Sequence, residues 1–262
     1  MLVFTCTAAA RRLHRPCARM NFISRRAFAI SMIDLPEDAS ATDSATDADG
    51  PADADTAPAP AATVAAAPQR KRPKPGERRV QILQTLAGML EQPGAERITT
   101  AALAARLDVS EAALYRHFAS KAQMFEGLIE FIETSVFTLI NQLVEREPSP
   151  AVQAQRIALL VVQFGEKNPG MVRVMVGDAL VFEHERLIAR MNQFFERVES
   201  QLRQSLRAAA EAAGSQTPTV DAQALASAIT ALVVGRLHRY ARSGFKRLPT
   251  EHLEPALQRL AS

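Results

Sequence analysis

Between Arg97 and Glu133 the chain reads RITTAALAARLDVSEAALYRHFASKAQMFEGLIEFIE, and few folds accommodate such a stretch. Thr99 and Thr100 are β-branched and hydroxylated, poor inside a helix but good at its start, so a helix should begin there. Leu103, Ala104 and Leu107 give it one apolar stripe. Asp108 ends it, because Asp tolerates the left-handed conformation better than most residues. Ser110 caps a second helix, Glu111 adds negative charge at its positive end, and Val109 pins the two helices together. Leu114 and Phe118 face inward, and Ser120 caps a third, much longer helix. Ala112, Ala113, Tyr115, Arg116 and His117 are left on the outside.

Two short helices joined by a tight turn form a helix-turn-helix, whose second helix enters the DNA major groove. Small side chains at Ala112 and Ala113 let the backbone approach base edges and present a methyl to thymine. Tyr115, His117 and Lys121 can reach phosphates on either side. The hydroxyls and N–H groups at Thr99 and Thr100 make an anion site at a helix start. The DNA-contacting set read from the stretch is therefore Thr99, Thr100, Ser110, Glu111, Ala112, Ala113, Tyr115, Arg116, His117 and Lys121. An ordinary helical hairpin within a packed bundle is the alternative.

The same residues resemble a family. ITTAALAARLDVSEAALYRHFASK is similar to the DNA-binding module of TetR-type regulators, whose pattern A-x-x-x-x-V-S-x-x-x-L-Y-x-H-F-x-S-K stands nearly complete. Two departures occur: Asp108 stands where Gly is usual in the turn, and Ala119 where Pro is common. Both bear on local stability more than on groove entry. The resemblance implies an all-α fold of about nine helices: an N-terminal helix-turn-helix domain over 76–136 (motif about 99–119), then a helical core and dimerisation domain over 137–262. Within that family the wording RITTAALAA, VSEAALYRHF, MFEGLIEFIE and FGEKNPG resembles the nucleoid occlusion branch, from about Gly76 to the end.

At 262 residues and 47% hydrophobic content the chain can hold a sizeable core, and its few glycines and long helical stripes agree with an all-α fold. The cysteines, Cys6 and Cys17, both lie near the N-terminus, offering neither a disulfide framework nor a zinc site and fitting a reducing cytoplasm. No run of 18 apolar residues is read, so no membrane span is expected. Residues 1–69 read as a disordered tail, Arg-rich at first and then rich in Ala, Asp, Thr and Pro. Ser24-Arg25-Arg26-Ala27-Phe28 mimics a twin-arginine signal, but the apolar run after it is short and stops at Asp34. An Arg-rich transit peptide is a second reading, and a later start at Met20 or Met32 is the favoured one. A basic arm over 70–79 follows, with Arg72, Lys74 and Arg78 expected to lie along phosphates or in the minor groove.

The remaining helices follow from periodicity. Glu77 to Glu91 has Val80, Leu83, Leu86, Ala87 and Leu90 on one face, and Pro93-Gly94 stops it. The long helix from Ser120 to about Glu147 turns Phe125, Ile129, Ile132, Val136, Ile140 and Leu143 inward. Phe131 sits about 120° off that stripe, so it is either covered by another helix or offered to a partner. Ile157 to Phe164 reads as apolar all round, a central buried helix ended by the cluster Gly165 to Gly170. A short helix is expected over 171–182. Leu187, Met191, Phe194, Val198, Leu202 and Leu206 face inward on a helix over 185–213, with an outer Glu199–Arg203 pair. The last two helices cover 221–242 and 250–260, the second burying Leu253, Leu257 and Leu260.

TetR-type proteins dimerise through their last two helices, so the resemblance assigns a dimer face to Leu225, Ile229, Leu232, Val233, Leu237 and Tyr240. The narrower resemblance implies that Phe131, Leu160, Lys167 and Asn168 receive the C-terminal tail of the tubulin-like division protein FtsZ. It further implies a cytoplasmic, nucleoid-associated division inhibitor that binds inverted-repeat DNA as a homodimer and disrupts FtsZ polymers when DNA-bound. A ligand-responsive transcriptional repressor of the TetR type is the alternative. His117, His184, His238 and His252 are scattered without metal-ligand spacing or a nucleophile partner, so neither an enzyme, a metal, a cofactor nor a small ligand is expected.

Overall fold

The computed structural model describes residues 76–92 and 97–260, and within them the chain is helical with no strand. The N-terminal tail, Arg72 and Lys74 of the basic arm, and the Pro93-Gly94 stop lie outside the described residues. In chain order the helices are α1 (Glu77–Leu90), α2 (Thr100–Leu107), α3 (Glu111–Tyr115), α4 (Lys121–Arg146), α5 (Pro150–Lys167), α6 (Pro169–Met175), α7 (Glu185–Ala212), α8 (Pro218–Arg242) and α9 (Leu253–Leu260). A 3₁₀ turn, Asp178–Leu180, lies between α6 and α7.

The first three helices form the head, α4 runs out of it with α5, α6 and α7 against it, and α8 and α9 pack in turn on α5, α8 also lying along α7. One apolar core continues from Ile82 of α1 to Leu257 of α9. The boundary expected at residue 136 therefore falls in the middle of a helix that serves both halves. Gly170, at the start of α6, lets that helix approach α1 closely: a Cβ there would lie 2.1 Å from the carbonyl oxygen of Ala87.

Several helices depart from the periodicity reading. Among Gly165 to Gly170, Asn168 alone interrupts the helix; α5 runs through to Lys167, and Pro169-Gly170 opens α6 rather than ending α5. Proline suits the first turn of a helix, where its missing N–H would be unpaired anyway. The helix expected over 171–182 stops at Met175, because Gly177 takes φ 85° and turns the chain into the 3₁₀ segment. Nor is α5 buried all round, since Gln163 is exposed and Leu159 and Leu160 are half-buried. Leu260 is exposed, unlike Leu253 and Leu257. All six inward residues of α7 are buried as expected. Arg203 and Glu199, however, do not pair with each other. Both bond Gln223 of α8 instead, at 2.9 and 3.2 Å, because the side-chain amide can accept from one and donate to the other.

The face assigned to dimerisation needs correction. Ile229, Val233, Leu237 and Tyr240 are buried inside the protomer, and Leu225 and Leu232 are half-buried against the same core. The Tyr240 hydroxyl donates to the Glu166 carbonyl at 3.3 Å; burial, with the Glu166 and Glu91 carboxylates nearby, pushes its pKa up to about 12. What α8 leaves exposed is the opposite face, with Val220, Ala224, Ser227, Ala231 and Gly235 at helical spacing and Ala228 beside them. Two helices, α4 and α8, are long and apolar enough by length and composition to cross a membrane, with mean hydropathy 1.2 and 1.3, a test that the core helices of a water-exposed fold also pass. In α4 that apolarity serves the core, where Met124, Phe125, Leu128, Ile129, Phe131, Ile132, Val136 and Ile140 are all buried.

Candidate nucleic-acid interface

The helix-turn-helix is built by three side-chain caps. Thr99 Oγ1 accepts from the Ala102 N–H at 3.2 Å, Ser110 Oγ from the Ala113 N–H at 3.3 Å, and Ser120 Oγ from the Gln123 N–H at 3.2 Å. Each satisfies one of the N–H groups that a helix start leaves unpaired. Asp108 takes φ 56°, ψ 49°, the left-handed conformation at which glycine is easiest. Its backbone N–H caps α2 through the carbonyls of Ala104 and Ala105. Leu103, Leu114 and Phe118 are buried beneath the turn and hold α3 at its angle to α2.

With its inner side so anchored, α3 presents the rest. Ala112, Arg116 and His117 are exposed, Ala113 is half-buried, and Tyr115 is 46% exposed. Cations gather beside them. Arg79 of α1 lies 4.5 Å from the Phe118 ring centre and donates to the His117 carbonyl at 3.4 Å, so α1 carries its charge to the end of the recognition segment. Partial burial, then the charges of Arg78, Arg116 and Arg79, hold the His117 imidazole below its usual pKa. Such a ring is neutral near pH 7 and would gain its proton where a phosphate offsets those charges.

Other expected contacts are already engaged. Thr100 Oγ1 donates to Glu111 Oε2 at 2.6 Å, so these two residues brace the turn together. Lys121 is ion-paired with Glu183, in the turn just before α7. Ser110 accepts the cap bond and, like Thr99, keeps its hydroxyl proton. Arg79 is the last residue of the basic arm expected over 70–79, and its contact with Phe118 requires the fold.

The residues expected to meet FtsZ do not form one exposed patch. Phe131 is 5% exposed, its ring 6.3 Å from that of Phe164, so its place is in the protein's own core. Phe164 of α5 crosses the side of α4 that the stripe argument left open. Asn168 donates from Nδ2 to the Phe164 carbonyl at 2.8 Å and so finishes α5. Lys167 is exposed and Leu160 half-buried. Lys167 also borders an open groove of about 430 Å³ between α5 and α9, lined by Leu159, Gln163, Glu166, Thr250 and His252 among others.

Residues 82–128 match the tetR family of bacterial regulatory proteins, and 150–261 match a tetracyclin repressor-like C-terminal domain of the SlmA-like type. Nucleoid occlusion factor SlmA of Photobacterium profundum is 50% identical over 190 residues, covering 72% of this chain and 96% of that protein. The chain belongs to the SlmA family. The SlmA of Idiomarina loihiensis is also 50% identical, over 69% of this chain and 92% of its own length. Both matches leave over a quarter of this chain unmatched, while nearly all of the relatives' length is covered. In fold the chain is similar to the transcriptional regulator FadR from Bacillus subtilis, solved with stearoyl-CoA, at a TM-score of 0.56 and 13% identity over 70% of this chain and 97% of that one. SlmA-type proteins are thus TetR-fold DNA-binding regulators, not enzymes, and this chain is one of them.

Proposed function

We propose that the protein binds inverted-repeat DNA as a two-fold dimer and, once bound, captures FtsZ and disrupts its polymers, keeping division away from the nucleoid in the cytoplasm. The observation that carries the DNA part is the exposed, small-residue face of α3, held by three caps and flanked by Arg78, Arg79 and Arg116. Backbone cations supply most of the affinity and the groove face supplies selection. The name shared by the relatives supports the division role. Two-fold pairing is supported by the exposed small-residue face of α8, on which a second helix can lie closely. The FtsZ contact centres on Lys167, with Leu160 beside it; the exposed ammonium suits an acidic tail.

Lys167→Glu is the decisive variant. It should leave folding and DNA affinity unchanged and abolish polymer disruption in a sedimentation assay with DNA present. Unchanged disruption would overturn the assignment of this corner. Phe131→Ala cannot serve the same purpose, because emptying a buried aromatic costs about 3–5 kcal/mol.

The ligand-responsive repressor reading has less support. FadR is solved with stearoyl-CoA, but here half-buried Phe137 packs edge to face on buried Phe194 at 5.5 Å, and the buried rings of Phe131 and Phe164 lie tilted at 6.3 Å, filling space between the helices.

A further inference from the structure

The turn that leads from the 3₁₀ segment into α7 reaches back to the head at two successive residues. Phe182 is 70% exposed, yet its ring lies 5.8 Å from the Arg97 guanidinium. Glu183, with a side chain only 10% exposed, holds the Lys121 ammonium. Arg97 stands just before the Thr99 cap of α2, and Lys121 opens α4 just after the recognition segment. The two cations therefore bracket the helix-turn-helix, one at each end, and adjacent residues of a single turn occupy both.

An ammonium on a carboxylate is the same charge pairing that an ammonium makes with a phosphate. A guanidinium over an exposed ring is held only weakly and keeps all its N–H donors for another acceptor. We infer that Phe182 and Glu183 are a surrogate for the DNA backbone: Glu183 stands in for the phosphate of Lys121, Phe182 parks Arg97, and duplex DNA takes both cations from the turn. Arg97 is thereby a further phosphate contact of the interface. Farther along the same seam, Arg186 meets Glu126 at 2.8 Å and Arg190 meets Glu133 at 2.6 Å. These pairs keep α7 on α4 while the turn is released, so DNA occupancy is reported to the core at the start of α7. The inference rests on the DNA-binding reading and deepens it.

The chain contains no tryptophan, so Phe182→Trp provides a sole emission probe at the contact. The DNA is a duplex selected by the wild-type protein from a random-sequence library. Adding it should shift the indole emission as Arg97 leaves. Glu183→Gln, which frees Lys121 beforehand, should bind that duplex about three- to five-fold tighter at fixed salt. Arg97→Ala should weaken binding and lower the salt slope by about one. If the wild type selects a duplex but the emission stays fixed and Glu183→Gln binds no tighter, the surrogate is overturned while the DNA reading stands. If no duplex is selected, the DNA reading itself falls and takes the surrogate with it. Should Glu183→Gln melt early by circular dichroism, the Phe182→Trp emission decides alone.

Discussion

Thr100 Oγ1 donates to Glu111 Oε2 across 2.6 Å, tying the first residue of α2 to the first residue of α3. With Thr100 so engaged, the hydroxyl left for a phosphate at the start of α2 is that of Thr99, which accepts from the Ala102 N–H and retains its own proton.

Thr99→Ala should therefore weaken DNA binding and, by losing the cap, lower stability by about 1 kcal/mol in a urea melt. Thr99→Ser should preserve both. Wild-type DNA affinity for Thr99→Ala at moderate salt, read by fluorescence anisotropy, would remove the α2 terminus from the interface.

Two glycines in helices should answer oppositely to alanine. At Gly170 the new Cβ would meet the Ala87 carbonyl oxygen at 2.1 Å, so Gly170→Ala forces α1 and α6 apart and should cost at least about 2 kcal/mol. At Gly88, inside α1, nothing lies within 4 Å, and Gly88→Ala should stabilise by about 0.5–1 kcal/mol through lower backbone entropy of the unfolded chain. Denaturant midpoints at constant slope give both values.

The open face of α8 allows a test of pairing. A Cβ at Gly235 meets nothing within 4 Å in the protomer. Ala228→Arg and Gly235→Leu should leave the protomer's helicity intact yet shift sedimentation from dimer to monomer, and inverted-repeat DNA affinity should fall with it. A dimer unaffected by both variants would place the interface elsewhere.

The His117 imidazole is held below 6.5 by partial burial and by Arg78, Arg116 and Arg79. For folding, such a group favours the native state above 6.5, and that contribution declines as the pH drops toward the lowered value. DNA reverses the sign, since a phosphate favours the charged ring. Affinity at constant ionic strength should rise as pH falls below 6.5, with proton uptake on binding, and His117→Gln should flatten that dependence.

The head was legible because its signals are local. Thr99, Asp108, Ser110 and Ser120 act on backbone groups within a few residues, and cap chemistry depends on neighbours in sequence. The periodicity of α7 was equally readable, since its apolar residues share one face. Legibility failed where two elements compete for one surface. Phe131 lies off the α4 stripe whether α5 or another protein covers it, and the apolar face of α8 looks the same packed within one protomer or against a second.

By itself, then, the sequence determined the starts of α2, α3 and α4, the buried stripe of α7 and the outward face of α3, because hydrogen bonds from hydroxyl caps and a 3.6-residue period are short-range. Only the tertiary structure decided that Phe164 covers Phe131, that Tyr240 points into its own core, and that a turn some 60 residues after Lys121 holds its charge. Those outcomes depend on which surfaces meet when the helices pack, and burial is non-directional, so periodicity names a face without naming its partner.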